Sequence, residues 1–229
     1  MGIDGRVSCR AVFLDRDGVI NRNLLNLQTN QFESPLTPED FHLTDGALTA
    51  LLKLQNAGYL LFLVSNQPNY ALGKASLEVL GAIHDRMKEI FDQAGISFAK
   101  FYYCFHHPRG IMPEYSGRCE CRKPSPHFLL QAQRNFGLDL DRSWMIGDRE
   151  TDMQCGQAAG AKTIQVFAES TVPIAGADRI ASNLTAAVSF ILNGEEEMAA
   201  EQETNGAAIV QAGSITRDSM RYCAARASW

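Results

Sequence analysis

Short apolar runs of strand length alternate along this chain with stretches of helical spacing, and that alternation restricts the fold more than any other feature. Strands are expected at Ala11–Leu14, Tyr59–Val64, Lys100–Tyr103, Trp144–Ile146 and Thr163–Phe167. Between them, residues 47–56 place Leu48, Leu51, Leu52 and Leu54 largely on one helical face, with Gly58 as a stop signal. Residues 76–94 repeat the pattern with Leu80, Ile83, Met87, Ile90 and Phe91. A third helix is expected over 126–136, closed by Gly137, and a fourth from Thr151 to about Gly160. Strand and helix in alternation imply an α/β fold: a Rossmann-like parallel sheet with crossover helices on both faces.

With 229 residues, the chain has room for one sizeable domain or a domain plus an appendage. A domain is expected over 1–194. After Asn193-Gly194 the run Glu195-Glu196-Glu197 opens a solvated stretch, so 195–229 reads as a tail or accessory element. The net charge of −5 and the lack of a basic stripe argue against nucleic acid as a partner. No apolar run approaches the ~18 residues that span a bilayer, and Met1–Arg10 lacks the apolar core of a signal peptide. The expectation is a cytoplasmic, monomeric protein with no membrane partner.

The first strand ends in Asp15-Arg16-Asp17-Gly18. Two carboxylates so close at a buried strand end repel unless a cation or a proton is shared between them. One reading is a solvated Asp-Gly turn; the other is a metal-assisted site with one nucleophilic Asp and one that handles protons. Two further strand ends favour the second. One carries Ser65-Asn66-Gln67, a hydroxyl and two amides, and the other Gly147-Asp148-Arg149, with Asp152 four residues beyond Asp148. In an open parallel sheet the carboxyl ends of the strands share one edge, where ligands bind. Asp15 and Asp148 could share Mg²⁺ with the backbone carbonyl of Asp17, since hard oxygen ligands suit that ion. Asp15 would then be the nucleophile, Asp17 the general acid and base, and Ser65 a donor to a phosphoryl oxygen. Asp152 is expected to cap its helix rather than to bind metal.

Cys104-Phe105-His106-His107 and Cys119-Glu120-Cys121 form a second constellation. Three thiolates and one imidazole suit a closed, structural zinc site. His106 is the preferred imidazole because its spacing from Cys104 matches that between Cys119 and Cys121; His107 is the alternative. Reduced cysteines without metal are the plainer reading. Directly after Cys121 come Arg122-Lys123-Pro124. Lys123 would neutralise Asp15 and the transferring phosphoryl group, and Arg122 would hold a second anionic or polar part of the substrate.

Together, Asp15-Arg16-Asp17-Gly18, Ser65-Asn66-Gln67, Arg122-Lys123-Pro124 and Gly147-Asp148-Arg149-Glu150-Thr151-Asp152 resemble the four motifs of the haloacid dehalogenase superfamily of phosphatases. The cysteine–histidine insertion narrows the resemblance to the branch holding the heptose-bisphosphate and histidinol-phosphate phosphatases. The resemblance covers residues 8–193 and implies an α/β domain without a large cap, Mg²⁺-dependent monoester hydrolysis through an aspartyl-phosphate, and a structural Zn²⁺. It implies Asp15, Asp17, Ser65 and Lys123 in catalysis, and Asn66, Gln67, Arg122 and Arg149 on a small phosphorylated sugar or similar metabolite. Two loops depart from the branch. Residues 21–41 are long and lack its Gly-Tyr-Val, which makes them a candidate lid. In 68–73, Leu72 stands where the branch carries Arg. Removal of the 7-phosphate from D-glycero-D-manno-heptose 1,7-bisphosphate is the leading expectation, histidinol phosphate or another sugar phosphate the alternative. A zinc-stabilised binding protein on the same fold is the alternative of another class.

Overall fold

The structure, a computed structural model, describes residues 9–27, 30–167 and 173–194; the expected tail, 195–229, lies outside the described residues. Six parallel strands form the main sheet: β1 (Ala11–Leu14), β4 (Leu60–Asn66), β5 (Phe98–Cys104), β6 (Trp144–Gly147), β7 (Lys162–Val166) and β8 (Arg179–Ala181). Their spatial order is β5-β4-β1-β6-β7-β8. The chain therefore leaves β1 in one direction, through β4 and β5, and resumes on its other side with β6. That reversal opens a crevice at the carboxyl end of β1, where doubly wound sheets bind their ligands.

Because side chains alternate across a strand, β1 serves two cores. Val12 and Leu14 belong to one, with Ala50, Leu51 and Leu54 of α1 (Ala47–Asn56) and Ile83, Met87 and Phe91 of α2 (Leu77–Gln93). Ala11 and Phe13 belong to the other, with Leu129 and Ala132 of α3 (His127–Phe136) and Cys155 of α4 (Glu150–Ala159). Helices therefore cover both faces, as the alternation of strand and helix predicts. A further helical stretch, α5 (184–194), seats Leu184, Ala187, Val188 and Ile191 in the first core.

Local signals set several element ends. Ser76 accepts a hydrogen bond from Val79 N at the start of α2. Gly137 and Gly160, both in the left-handed conformation, close α3 and α4. The segment 21–41 folds back on itself as a two-stranded antiparallel hairpin, β2 (Leu24–Asn26) with β3 (Gln31–Glu33). Among the described residues, no helix is long and apolar enough to cross a membrane.

Candidate active site

Three parallel strands deliver their polar ends to the crevice. Asp15 follows β1 directly, and its backbone N–H donates to Ile146 O of β6 at 3.0 Å, so the ladder itself fixes the residue. Ser65 and Asn66 lie within β4 rather than after it, because that strand runs two residues past the expected Val64. Asp148 follows β6. Gly18, with φ of 83°, turns the chain beside Asp148; a Cβ there would lie 2.5 Å from Oδ2 of that aspartate. At Gly147 a Cβ would meet the Asp152 side chain at 2.2 Å. Both glycines are needed for the close packing of acidic groups.

Lys123 is the central cation. It is 2 % exposed, and its Nζ lies 3.0 Å from Asp15 Oδ1 and 2.6 Å from Asp152 Oδ1 while donating to Val64 O at 2.6 Å. Burial works against its charge, yet the attraction of Asp15 and Asp152 wins and its pKa is raised. Asn66 latches the backbone that carries it: Asn66 Oδ1 accepts from Lys123 N at 3.1 Å, and Asn66 Nδ2 donates to Lys123 O at 3.2 Å.

Asp15, Asp148 and Asp152 each offer a carboxylate oxygen within 4.8 Å of the others. One ammonium cannot balance three such charges. Burial, then the neighbouring Asp15 and Asp152, push the Asp148 carboxyl up to about 8, and burial is also the main cause that raises Asp152 to about 6. Oδ1 of Asp148 is buried without a hydrogen-bond partner. An oxygen-only, electron-rich and under-neutralised cluster fits a hard divalent cation. As expected, Asp152 caps α4: its Oδ2 accepts from Arg149 N at 3.0 Å. It also closes on Lys123, which the sequence did not indicate.

Asp17 faces a different set of groups. Its carboxylate accepts from Arg16 Nε at 3.1 Å, from Gln67 Nε2 at 2.5 Å and from Asn21 Nδ2 at 3.0 Å. Gln67 also donates to Ser65 Oγ at 3.0 Å and accepts from Arg16 at 2.9 Å. Arg16 is 1 % exposed, the largest fully buried side chain among the described residues. Arg16 and Gln67 thus act on Asp17 from inside the protein. Gln67 was expected against substrate; the structure places its amide between Asp17 and Ser65, away from the cleft wall.

A cleft of ≈ 160 Å³ opens over Asp15, Asp17, Asn66, Lys123 and Arg149. Arg122, expected on the substrate, is not among its lining side chains and donates instead to His106 O at 3.1 Å. The hairpin and the loop after β4 complete the wall with Glu33, Ser34, Asn69, Leu72 and Lys74. Sequence reasoning had marked 21–41 as a candidate lid and Leu72 as a departure, but it did not single out Glu33, Ser34, Asn69 or Lys74.

Cys104, His106, Cys119 and Cys121 converge as the spacing predicts. Their sulfur–sulfur distances are 3.3 to 3.6 Å, and His106 Nδ1 lies 3.6 Å from Cys121 Sγ and 4.0 Å from Cys104 Sγ. Ligands at ~2.3 Å from one tetrahedral Zn²⁺ would stand roughly 3.8 Å apart, so the donor set fits that ion. His107 is turned away, with Nδ1 accepting from Arg109 N.

Residues 120–187 match the HAD-hydrolase-like family. The chain is 39 % identical over 153 residues to D-glycero-beta-D-manno-heptose-1,7-bisphosphate 7-phosphatase of Vibrio cholerae, covering 67 % of this chain and 78 % of the relative. It is 36 % identical over 174 residues to the protein of that name from Photorhabdus laumondii, covering 76 % and 88 %. Among solved structures, D,D-heptose 1,7-bisphosphate phosphatase from B. bronchiseptica, complexed with magnesium and phosphate, aligns with a TM-score of 0.65 at 27 % identity, over 81 % of this chain and 99 % of that one.

Proposed function

This chain belongs to the haloacid dehalogenase-like hydrolases and is a phosphatase, and on that premise we propose that it removes the 7-phosphate of D-glycero-D-manno-heptose 1,7-bisphosphate through an aspartyl-phosphate on Asp15. The observation that carries the chemistry is the contact of Lys123 with Asp15 beside an unsatisfied Asp148. The identity to heptose-bisphosphate phosphatases supports the substrate.

Asp15, Asp148 and the backbone carbonyl of Asp17 would hold Mg²⁺, which supplies positive charge that lets an anionic nucleophile approach an anionic phosphoryl group. Arg16 N and Lys123 Nζ both fix Asp15 Oδ1, and Oδ2 is assigned as the attacking oxygen. It forms a bond to phosphorus as the bond from phosphorus to the sugar oxygen breaks. Asp17 gives that leaving oxygen its proton. Asp17 then takes a proton from water, the resulting oxygen bonds to phosphorus, and Asp15 departs as carboxylate. Lys123 offsets charge on the transferring group, with Ser65 as a further donor. Arg149, exposed at the cleft rim, would meet the sugar. Cys104, His106, Cys119 and Cys121 would hold a structural Zn²⁺, a closed set with no position for water.

A phosphatase assay with Mg²⁺ across the heptose bisphosphate, histidinol phosphate and hexose phosphates tests this reading. The bisphosphate should give the highest kcat/KM, with release of one phosphate per molecule, and Asp15→Asn should abolish turnover. A preference for histidinol phosphate would overturn the substrate; turnover that survives Asp15→Asn would overturn the mechanism.

A further inference from the structure

One wall of the cleft carries charges that the chemistry at Asp15 and Asp17 does not use. Glu33 ends β3, Lys74 sits in the loop between β4 and α2, and both line the cleft. Lys74 Nζ lies 3.0 Å from Glu33 Oε1. Beside them Asn69 Nδ2 donates to Ser34 Oγ at 3.0 Å, so the hairpin and the loop are fastened at two adjacent points. A purely mechanical role for the ion pair is the modest alternative, because a partly exposed pair contributes little to stability.

The distribution of cations says more. Lys123 is held by Asp15 and Asp152. Arg149 points its Nε toward Asp148, at 3.9 Å. Of the cations lining the cleft, Lys74 is the one whose carboxylate partner lies outside the acidic cluster, and its neighbour on the wall, Leu72, offers no charge. Lys74 remains 43 % exposed while Glu33 is 17 % exposed, so the ammonium is the more accessible half of the pair.

We propose that Lys74 anchors a second anionic group of the substrate, remote from the phosphoryl group that reacts, and that Glu33 is the counter-ion this group displaces. The inference rests on the sugar-phosphate reading above and names the wall that selects a bisphosphate. A phosphate brings more charge and more acceptor oxygens to an ammonium than one carboxylate does. Once displaced, Glu33 can accept hydrogen bonds from sugar hydroxyls. A neutral or cationic substituent cannot part the two residues and gains nothing from Lys74. The pair therefore discriminates by what it refuses as well as by what it holds.

The test compares kcat/KM for heptose 1,7-bisphosphate and heptose 7-phosphate, with Mg²⁺, in the wild type, Lys74→Met, Lys74→Arg and Glu33→Gln. Lys74→Met should lower kcat/KM for the bisphosphate about tenfold, mainly through KM, and leave the monophosphate within about twofold. Lys74→Arg should keep the wild-type preference, and Glu33→Gln should raise the ratio of bisphosphate to monophosphate several-fold. Equal losses on both substrates in Lys74→Met, or an unchanged ratio in Glu33→Gln, would overturn the inference. A wild type that ignores the bisphosphate sinks the functional reading instead. In that case Glu33→Gln still decides: gained bisphosphate turnover supports the displaced counter-ion, and none overturns it.

Discussion

The ammonium of Lys123 lies 2.6 Å from Oδ1 of Asp152, closer than the 3.0 Å that separates it from Asp15. The lysine is thus shared between the proposed nucleophile and the residue that caps α4. That Oδ1 has no aligned hydrogen bond and is buried, so Lys123 is its compensation. Removing the lysine leaves two buried carboxylates unpaired, the situation in which a broken ion pair costs most. Lys123→Met is expected to destabilise the protein by about 3–5 kcal/mol and to remove activity. The paired variant Lys123→Met/Asp152→Asn should regain part of the stability and none of the activity. Chemical denaturation and turnover of the two variants would separate these roles.

With Lys123 shared between Asp15 and Asp152, Asp148 faces only the exposed Arg149, at 3.9 Å, and a proton or a metal is left to neutralise it. Its carboxyl is raised to about 8, by burial first and by Asp15 and Asp152 next. A raised acid binds protons more tightly folded than unfolded, so its contribution to stability falls as pH rises from about 4 to 8. Metal-free protein should therefore melt at a higher temperature at pH 6 than at pH 8 as far as this group is concerned. Mg²⁺ must displace that proton, and its affinity should weaken by up to about tenfold per pH unit below 8. Calorimetric Mg²⁺ titrations at pH 6, 7 and 8 check the sign; an affinity that does not rise with pH would exclude Asp148 as a ligand.

Asp17 is held by three buried side chains, Arg16, Asn21 and Gln67. Asp17→Asn keeps the shape of the carboxylate and loses proton transfer. A drop in kcat of about 10²–10⁴ is expected, with KM changed little. Because Arg16 loses its ionic partner at a buried position, melting should fall as well. Steady-state kinetics with a thermal melt would show both effects, and a fully active Asp17→Asn enzyme would remove Asp17 from the reaction.

Much of this architecture was legible from residue order. Ala11–Leu14 reads as a strand because both of its faces are buried, which leaves no polar residue to interrupt the run. Asp15, Ser65 and Asp148 could be brought together in advance because parallel strands share one carboxyl edge, whereas Lys123, which ends no strand, was placed by its position directly after Cys121. The hairpin was illegible for the opposite reason. Its strands have three residues each, are half exposed, and close through Asn30 at φ of 52°, so no alternation marks them. Edge strand β8, with Arg179 and Ile180 exposed, is equally faint. The α5 residues Leu184, Ala187, Val188 and Ile191 do follow helical spacing, a signal that was present and passed over. Arg16, between two aspartates, looks like a solvated charge until packing shows it buried. Its partners lie far along the chain, Gln67 just after β4 and Tyr103 within β5.

The cluster of Cys104, His106, Cys119 and Cys121 ties the end of β5 to the residues immediately before Lys123. Arg122 adds a second tie by donating to His106 O. A metal at this cluster would therefore set the position of Lys123 from one side while Asn66 sets it from the other. Cys119→Ser should bind less than one zinc per chain and lower the melting temperature by roughly 5–10 °C, as a loss of a few kcal/mol does in a chain of this length. Turnover should fall through kcat, because the displaced group, Lys123, is proposed to act on the phosphoryl transfer rather than on sugar binding. Elemental analysis, melting and kinetics on the same preparation test the coupling. A folded wild type without zinc would remove the metal from this account, and a zinc-free Cys119→Ser enzyme with unchanged kcat would show that Asn66 alone suffices to hold the lysine.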